Sequence, residues 1–325
     1  MTTARLVPVT VEMDGDALDA ADAWRLARQH GLVKIGVESF VRFRYGDGFT
    51  NSRALALQAC LAIVPFLLAL TGLAADLDDA RPAGVVAHVV DSLSPGSGES
   101  DALTSAVEKS DEAELAGELA LFFGLGFALL SMTTAVAQIE RGTNRIYGIR
   151  RDRKAVSKYG RAAVITAVLA IPVGVGFMMI VGGAAFGVAM AENYGWSAGT
   201  VRWWNVLRWP VGLGLLVVTI ALLLDHAPRR RQPALSWLAL GAGIAVLLSA
   251  LATVGLALYV SLSGSFGTVY GPLAGVIALL LWALLSSIAL FFGTAVCAQL
   301  EALRAGQTDP VLADPGRPHA RTVDD

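Results

Sequence analysis

Six long apolar runs, separated by loops whose charge alternates from one to the next, constrain this chain more than any other feature. They lie at 54–75, 119–139, 162–190, 211–224, 237–260 and 272–300. A helix needs roughly 20 apolar residues to cross about 30 Å of hydrocarbon. Five of the runs reach that length, and the fourth does so once 206–210 is added. Hydrophobic residues make up 55% of the chain and charged residues 16%, where an ordinary soluble domain is about a quarter charged. A soluble fold would lack the polar surface to cover six such helices. The expected fold is an all-α polytopic membrane protein with six transmembrane helices.

Orientation follows from Lys and Arg, which resist translocation when they lie near a span. Lys34, Arg42, Arg44 and Arg53 precede the first run. Arg141, Arg145, Arg150, Arg151, Arg153, Lys154, Lys158 and Arg161 follow the second, Arg229, Arg230 and Arg231 the fourth, and Arg304 the sixth. The loop at 76–117 has only Arg81 and Lys109 among ten acids, the third loop adds Arg202 beside Arg208, and the fifth has no basic residue. Odd loops are therefore expected outside a plasma membrane and both termini in the cytoplasm. The division is a cytoplasmic arm at 1–53, a transmembrane domain at 54–300 and a cytoplasmic tail at 301–325. Within the domain, 76–117 forms an acidic outer loop and 140–161 a basic inner one.

In the arm, Val33, Val37, Phe40 and Val41 recur at helical spacing, away from Lys34, Glu38 and Arg42. That pattern predicts an amphipathic helix, either lying along the inner leaflet with Trp24 and Phe43 as interfacial anchors or packed under the bundle. Glu38 and Arg42 stand at the i,i+4 spacing of an ion pair. No signal-peptide pattern precedes the helix; 14–22 carries Asp14, Asp16, Asp19 and Asp22 instead. Pro82, Pro95 and the 96–98 Gly-Ser-Gly break suggest two short outer helices near 85–93 and 101–115. The tail beyond Gly306, rich in Pro, Asp and Arg, reads as disordered.

Enzyme chemistry finds little support. Cys60 and Cys297 both fall in apolar runs, and His30, His88, His226 and His319 are scattered without ligand spacing. Asp225-His226 reads as a boundary cap rather than a catalytic pair. There is no phosphate-binding loop, no HExxH and no nucleophile elbow. No cofactor is expected. The centres of the runs contain no Asp, Glu, Lys or Arg, which disfavours a proton-driven carrier. Thr133, Thr134, Gln138, Ser249, Thr253, Ser286 and Ser287 suit contacts between helices. Small-xxx-small spacing recurs at Gly183/Gly187 and at Gly267, Gly271 and Gly275. Pro65, Pro172 and Pro210 lie within or at the edge of runs, where each removes a backbone donor.

The densest constellation is 138–147, Gln-Ile-Glu-Arg-Gly-Thr-Asn-Arg-Ile-Tyr, followed by Arg150, Arg151, Arg153 and Lys154. On a continuing helix Glu140 shares a face with Asn144, and Arg141 with Arg145. Such a strip either enforces topology or binds anionic headgroups. The headgroup candidates are Arg141, Arg145, Arg150 and Arg151. Gln138, Glu140, Asn144, Pro65, Pro172, Tyr270 and Gly271 are the accompanying polar and structural candidates.

Three blocks in order carry a family resemblance: Asn51 to Pro65, Arg141 to Tyr147, and Tyr270-Gly271 followed by Trp282 and Gly293. Over about 25–305 the chain resembles the YihY/BrkB family of bacterial inner-membrane proteins, in its YhjD-like branch. Where many members read Gly-Ala-Glu-x-Asn, this chain reads Gly293-Thr-Ala-Val-Cys297, so a role for those acidic and amide groups does not carry over. The resemblance implies six helices in a plasma membrane. Some members carry a tRNA-processing ribonuclease label, for which this sequence offers no metal-holding or water-activating group; others are linked to export of envelope lipid precursors. The leading expectation is a transporter or flippase-like protein for an amphiphilic anionic envelope component. The alternative is a non-transporting membrane scaffold, and an inner-face hydrolase is a third. Expected partners are membrane lipids, envelope or membrane proteins, or further copies of the chain, and not nucleic acid.

Overall fold

Runs that are apolar on every side have no solvated stripe, and they fold as helices that seek apolar surroundings all round. The structure, a computed structural model, describes residues 5–12, 19–75, 114–262 and 273–313. Its helices are α1 (Ala20–His30), α2 (Leu32–Tyr45), α3 (Gly48–Ala75), α4 (Glu114–Ile146), α5 (Ala155–Phe177), α6 (Gly183–Tyr194), α7 (Ala198–His226), α8 (Leu235–Leu262) and α9 (Ala274–Arg304). A five-residue π-helical turn, Met178–Gly182, joins α5 to α6. The described residues contain no strand.

Five helical stretches are long and apolar enough to cross a membrane: Leu121–Ile146, Ala155–Tyr194, Ala198–His226, Leu235–Leu262 and Ala274–Arg304. Their outward faces are apolar as well. Leu247, Leu251, Val254 and Leu258 stand at helical spacing along α8, each more than half exposed. In water such a stripe would be an adhesive patch, whereas against lipid it is the expected surface. The long helices close a ring: α3 packs on α4, α4 on α5, α5 on α7, α7 on α8, α8 on α9, and α9 returns to α3.

Glycines set the tightest crossings. A Cβ placed on Gly241 of α8 would lie 2.3 Å from the Cys297 sulfur and 2.5 Å from the Gly293 carbonyl oxygen, so α8 and α9 touch backbone to backbone. On Gly124 it would lie 2.6 Å from the Ala69 amide nitrogen and 3.0 Å from the Pro65 oxygen, which brings α4 against α3 beside its proline. Gly183 and Gly187 seat Arg208 and Trp204 of α7. Pro65, Pro172 and Pro210 all lie inside helices, and the π-helical turn begins a short way beyond Pro172.

Several expectations are corrected. Phe43 is a core residue rather than an interfacial anchor: it is 1% exposed and packs against Phe40, Phe49 and Phe292. Face-down packing explains this, because α2 buries Ile35, Ser39, Arg42 and Phe43 and leaves Val33 and Val37 outside. Trp24 does stay partly exposed, with Arg28 over its ring. The Glu38–Arg42 pair is absent; Glu38 instead pairs with Lys34 at 3.8 Å and accepts from the Gln299 amide at 3.1 Å. Thr133, Thr134 and Thr253 bond to carbonyls of their own helices, while Gln138 and Trp282 reach across, to Asn51 and Thr253. Past Gly306 the described residues run beside the N-terminal segment as far as residue 313, with Leu312 N–H donating to the Leu6 carbonyl at 2.8 Å. Of the two outer-loop helices expected near 85–93 and 101–115, all but 114–115, which begin α4, lie outside the described residues, as do Gly267, Tyr270 and Gly271.

The α8–α9 contact leaves no room for a side chain, so Gly241→Val is expected to destabilise the protein by about 1–3 kcal/mol or more through overpacking. Gly243→Ala, which meets open space, is expected to be neutral or to stabilise by up to about 1 kcal/mol through helix propensity. Thermal melting in detergent checks both.

Candidate functional site

The basic end of the helix ring is built in two layers, a buried polar network and a charged groove over it. Arg42, fully buried on α2, is the centre of the first. Its Nε donates to the Ile146 carbonyl at 3.0 Å, one terminal nitrogen to the Gln299 side-chain oxygen at 3.2 Å, and the other to the Pro8 carbonyl at 3.3 Å and the Thr10 hydroxyl. One side chain thus ties together the N-terminal segment, α2, the end of α4 and α9. Burial lowers its pKa to about 10, with Tyr147 and Glu301 opposing that fall, so the guanidinium stays charged at neutral pH.

Glu301 of α9 carries the compensating charge. The Tyr147 hydroxyl donates to it at 3.0 Å, and an Arg230 nitrogen lies 2.8 Å from its other oxygen as an ion pair without good hydrogen-bond angles. The Arg230 and Glu301 side chains are 2% and 0% exposed, and the Arg230 guanidinium lies 4.3 Å from the Tyr147 ring centroid. Burial, and then the neighbouring Glu301, raises the Tyr147 pKa well above its usual value, which keeps the phenol a donor.

The second layer begins where α4 ends. Glu140 and Asn144, one turn apart on the same face as expected, are both buried. Glu140 pairs with Arg153 at 3.0 Å, and Arg153 also donates to the carbonyls of Ala227 and Pro228, each at 2.9 Å. Asn144 donates to Asp152 at 3.1 Å and accepts from the Arg229 amide at 2.8 Å. These bonds clamp the 148–154 segment to the turn after α7. Gly148 makes the bend possible: its φ is +80°, and a Cβ there would fall 2.4 Å from the Pro8 carbonyl oxygen.

Between the clamped segments lies an open groove of about 680 Å³ lined by Arg151, Asp152, Arg153, Lys154, Ser157 and Arg229. Of the four arginines nominated from the sequence, only Arg151 lines it. Arg145 turns back on its own loop and donates to the carbonyls of Ile149 and Arg150. Arg141 and Arg150 are exposed elsewhere on the same end. Gln138 donates to Asn51, within α4's packing against α3. Sequence reasoning missed Gln299, Glu301 and the depth of Arg42 and Arg230, and did not nominate Lys154, Ser157 or Arg229. The acid just past the last apolar run was the available signal. Asp225 and His226 sit 3.1 Å apart, both partly exposed, with the ring also against the Leu222 carbonyl. Among the described residues no three His, Cys, Asp or Glu side chains gather as metal ligands would.

A family model described as virulence factor BrkB matches residues 39–315. The ribonuclease-like protein YfkH of Bacillus subtilis is 26% identical over 267 residues, 81% of this chain and 94% of that protein. A UPF0761 membrane protein of Vibrio campbellii is 26% identical over 253 residues, 77% of this chain and 76% of its own length. Another, from Chromohalobacter salexigens, is 25% identical over 274 residues, 81% of this chain but only 62% of that protein. No solved structure matches the chain.

Removing one member of a buried ion pair leaves the other charge stranded, at a cost of about 3–5 kcal/mol. Glu301→Gln is expected to lose stability on that scale in denaturation of the detergent-solubilised protein. Asp225→Asn, on the partly exposed pair, is expected to stay within about 0.5 kcal/mol.

Proposed function

This chain belongs to the BrkB family, and we propose that it is a plasma-membrane protein that moves an amphiphilic anionic envelope component, such as a lipid precursor, across the bilayer. In this reading α3 joins the five long apolar stretches as a sixth span, and the basic end faces the cytoplasm. The observation that carries it is the exposed, cation-lined groove at one end of helices whose outer faces are otherwise apolar. Anionic headgroups are gathered at that end by Arg151 in the groove and by the exposed Arg141 and Arg150 outside it, while Arg145 fixes the loop between them. The acyl chains follow the apolar helix faces, and α3, α5 and α7, each with an internal proline, line the path. The exposed Val33 and Val37 of α2 rest in the inner leaflet.

The scaffold reading draws on the same exposed α2 face as a partner surface. The ribonuclease-like name of YfkH raises a hydrolytic reading, but among the described residues no three His, Cys, Asp or Glu side chains gather as metal ligands would to support it. Reconstitution in vesicles with a fluorescent phosphatidic acid and an impermeant quencher tests transport. Wild-type protein is expected to expose inner-leaflet lipid to the quencher. Arg141→Gln/Arg150→Gln/Arg151→Gln is expected to slow this about tenfold, the equivalent of roughly 1.4 kcal/mol of lost headgroup interaction. No movement by the wild-type protein would leave the scaffold reading standing, and unchanged movement by the variant would remove these arginines from the path.

A further inference from the structure

We infer that the groove at the start of α5 is a binding site for a phosphate group carrying two or more negative charges, as in a phosphomonoester or a diphosphate. This rests on and sharpens the transport reading above.

Of the groove's charged side chains, Arg153 is neutralised by Glu140 at 3.0 Å and Asp152 by Lys158 at 3.5 Å. Arg151, Lys154 and Arg229 have no ion-pair partner among the described residues, and the Arg229 guanidinium makes only one long bond, 3.4 Å, to the Asp152 carbonyl. Three unneutralised cations from two chain segments therefore line one opening, with the Ser157 hydroxyl beside them. Like charges held together cost free energy that a counter-charge recovers. A singly charged phosphodiester leaves two of the three cations unmatched, whereas a dianion leaves one and a trianion none.

The cations are also held in place. The segments that present them are joined through buried Asn144, which touches Asp152 on one side and the Arg229 amide on the other, and through the Glu140–Arg153 clamp. A frame fixed before the ligand arrives spares part of the ordering cost of binding. The groove further coincides with the first turn of α5, whose N-cap, Lys154, supplies no side-chain acceptor, so backbone donors there are free for phosphate oxygens.

The test uses the full-length protein in detergent and in nanodiscs. Titration calorimetry with inorganic pyrophosphate reads the site alone; native mass spectrometry with phosphatidic acid, a phosphomonoester, against phosphatidylglycerol, a diester, reads the lipid source. The wild-type protein is expected to bind pyrophosphate, to prefer phosphatidic acid, and to release it when pyrophosphate is added. Arg151→Gln/Lys154→Gln/Arg229→Gln, and to a lesser degree Lys154→Gln alone, is expected to weaken both ligands about tenfold or more. Arg202→Gln, exposed near the opposite end of α7 from the groove, is expected to bind as wild type does. Pyrophosphate binding without any preference for phosphatidic acid would keep the site but give it a free phosphate compound, against the lipid reading. Lipid movement in vesicles that the triple variant leaves unchanged, with pyrophosphate binding equally unchanged, would overturn the site while leaving transport intact.

Discussion

The buried guanidinium of Arg42 is the interaction on which the basic end of this protein depends. A charge removed from water is tolerated only when each of its donors finds an acceptor. The acceptors here come from three parts of the chain: the carbonyl of Pro8 and hydroxyl of Thr10 in the N-terminal segment, the carbonyl that ends α4, and Gln299 of α9. Satisfying one arginine therefore fixes the N-terminal segment, α2, α4 and α9 relative to one another. Glu301 and Arg230 extend the arrangement to the loop before α8. The C-terminal stretch follows, since Gln307 and Leu312 bond to the segment that Arg42 holds.

That network separates two uses of basic residues that look alike in composition. Arg42, Arg145, Arg153 and Arg230 are spent on structure, each meeting carbonyls or a carboxylate of the protein itself. Arg151, Lys154 and Arg229 face outward in a groove whose walls the first group has made rigid. A positive rim enforces topology whichever side chains compose it, but a groove of fixed shape with unneutralised charge can also select a ligand. The rim lies at the ends of helices whose outer faces are apolar, which suits a molecule with a charged head and hydrocarbon tail.

What the sequence conveyed was whatever depends on local pattern. Long apolar runs mark helices, and five of the stretches have spanning length and composition. Glu140 and Asn144 share a face by spacing alone, and the structure uses them on one surface. Partners far apart in the chain were not legible. Local spacing favoured Glu38 for Arg42, yet Gln299, 257 positions away, takes that arginine because α2 packs against α9. Lys154 and Arg229 share a groove only once α4 and α7 end side by side. Gly241 was one of 34 glycines and is distinguished only by the backbone of Gly293 opposite it.

This rigid basic end is proposed to open to the cytoplasm and to meet charged headgroups there. The most direct test is thiol labelling of Ser157→Cys, with Cys60 and Cys297 replaced by Ala, in intact and permeabilised cells. Protection from an impermeant maleimide in intact cells and full labelling after permeabilisation is the expected result. Labelling in intact cells would place the groove on the outer face and contradict the account.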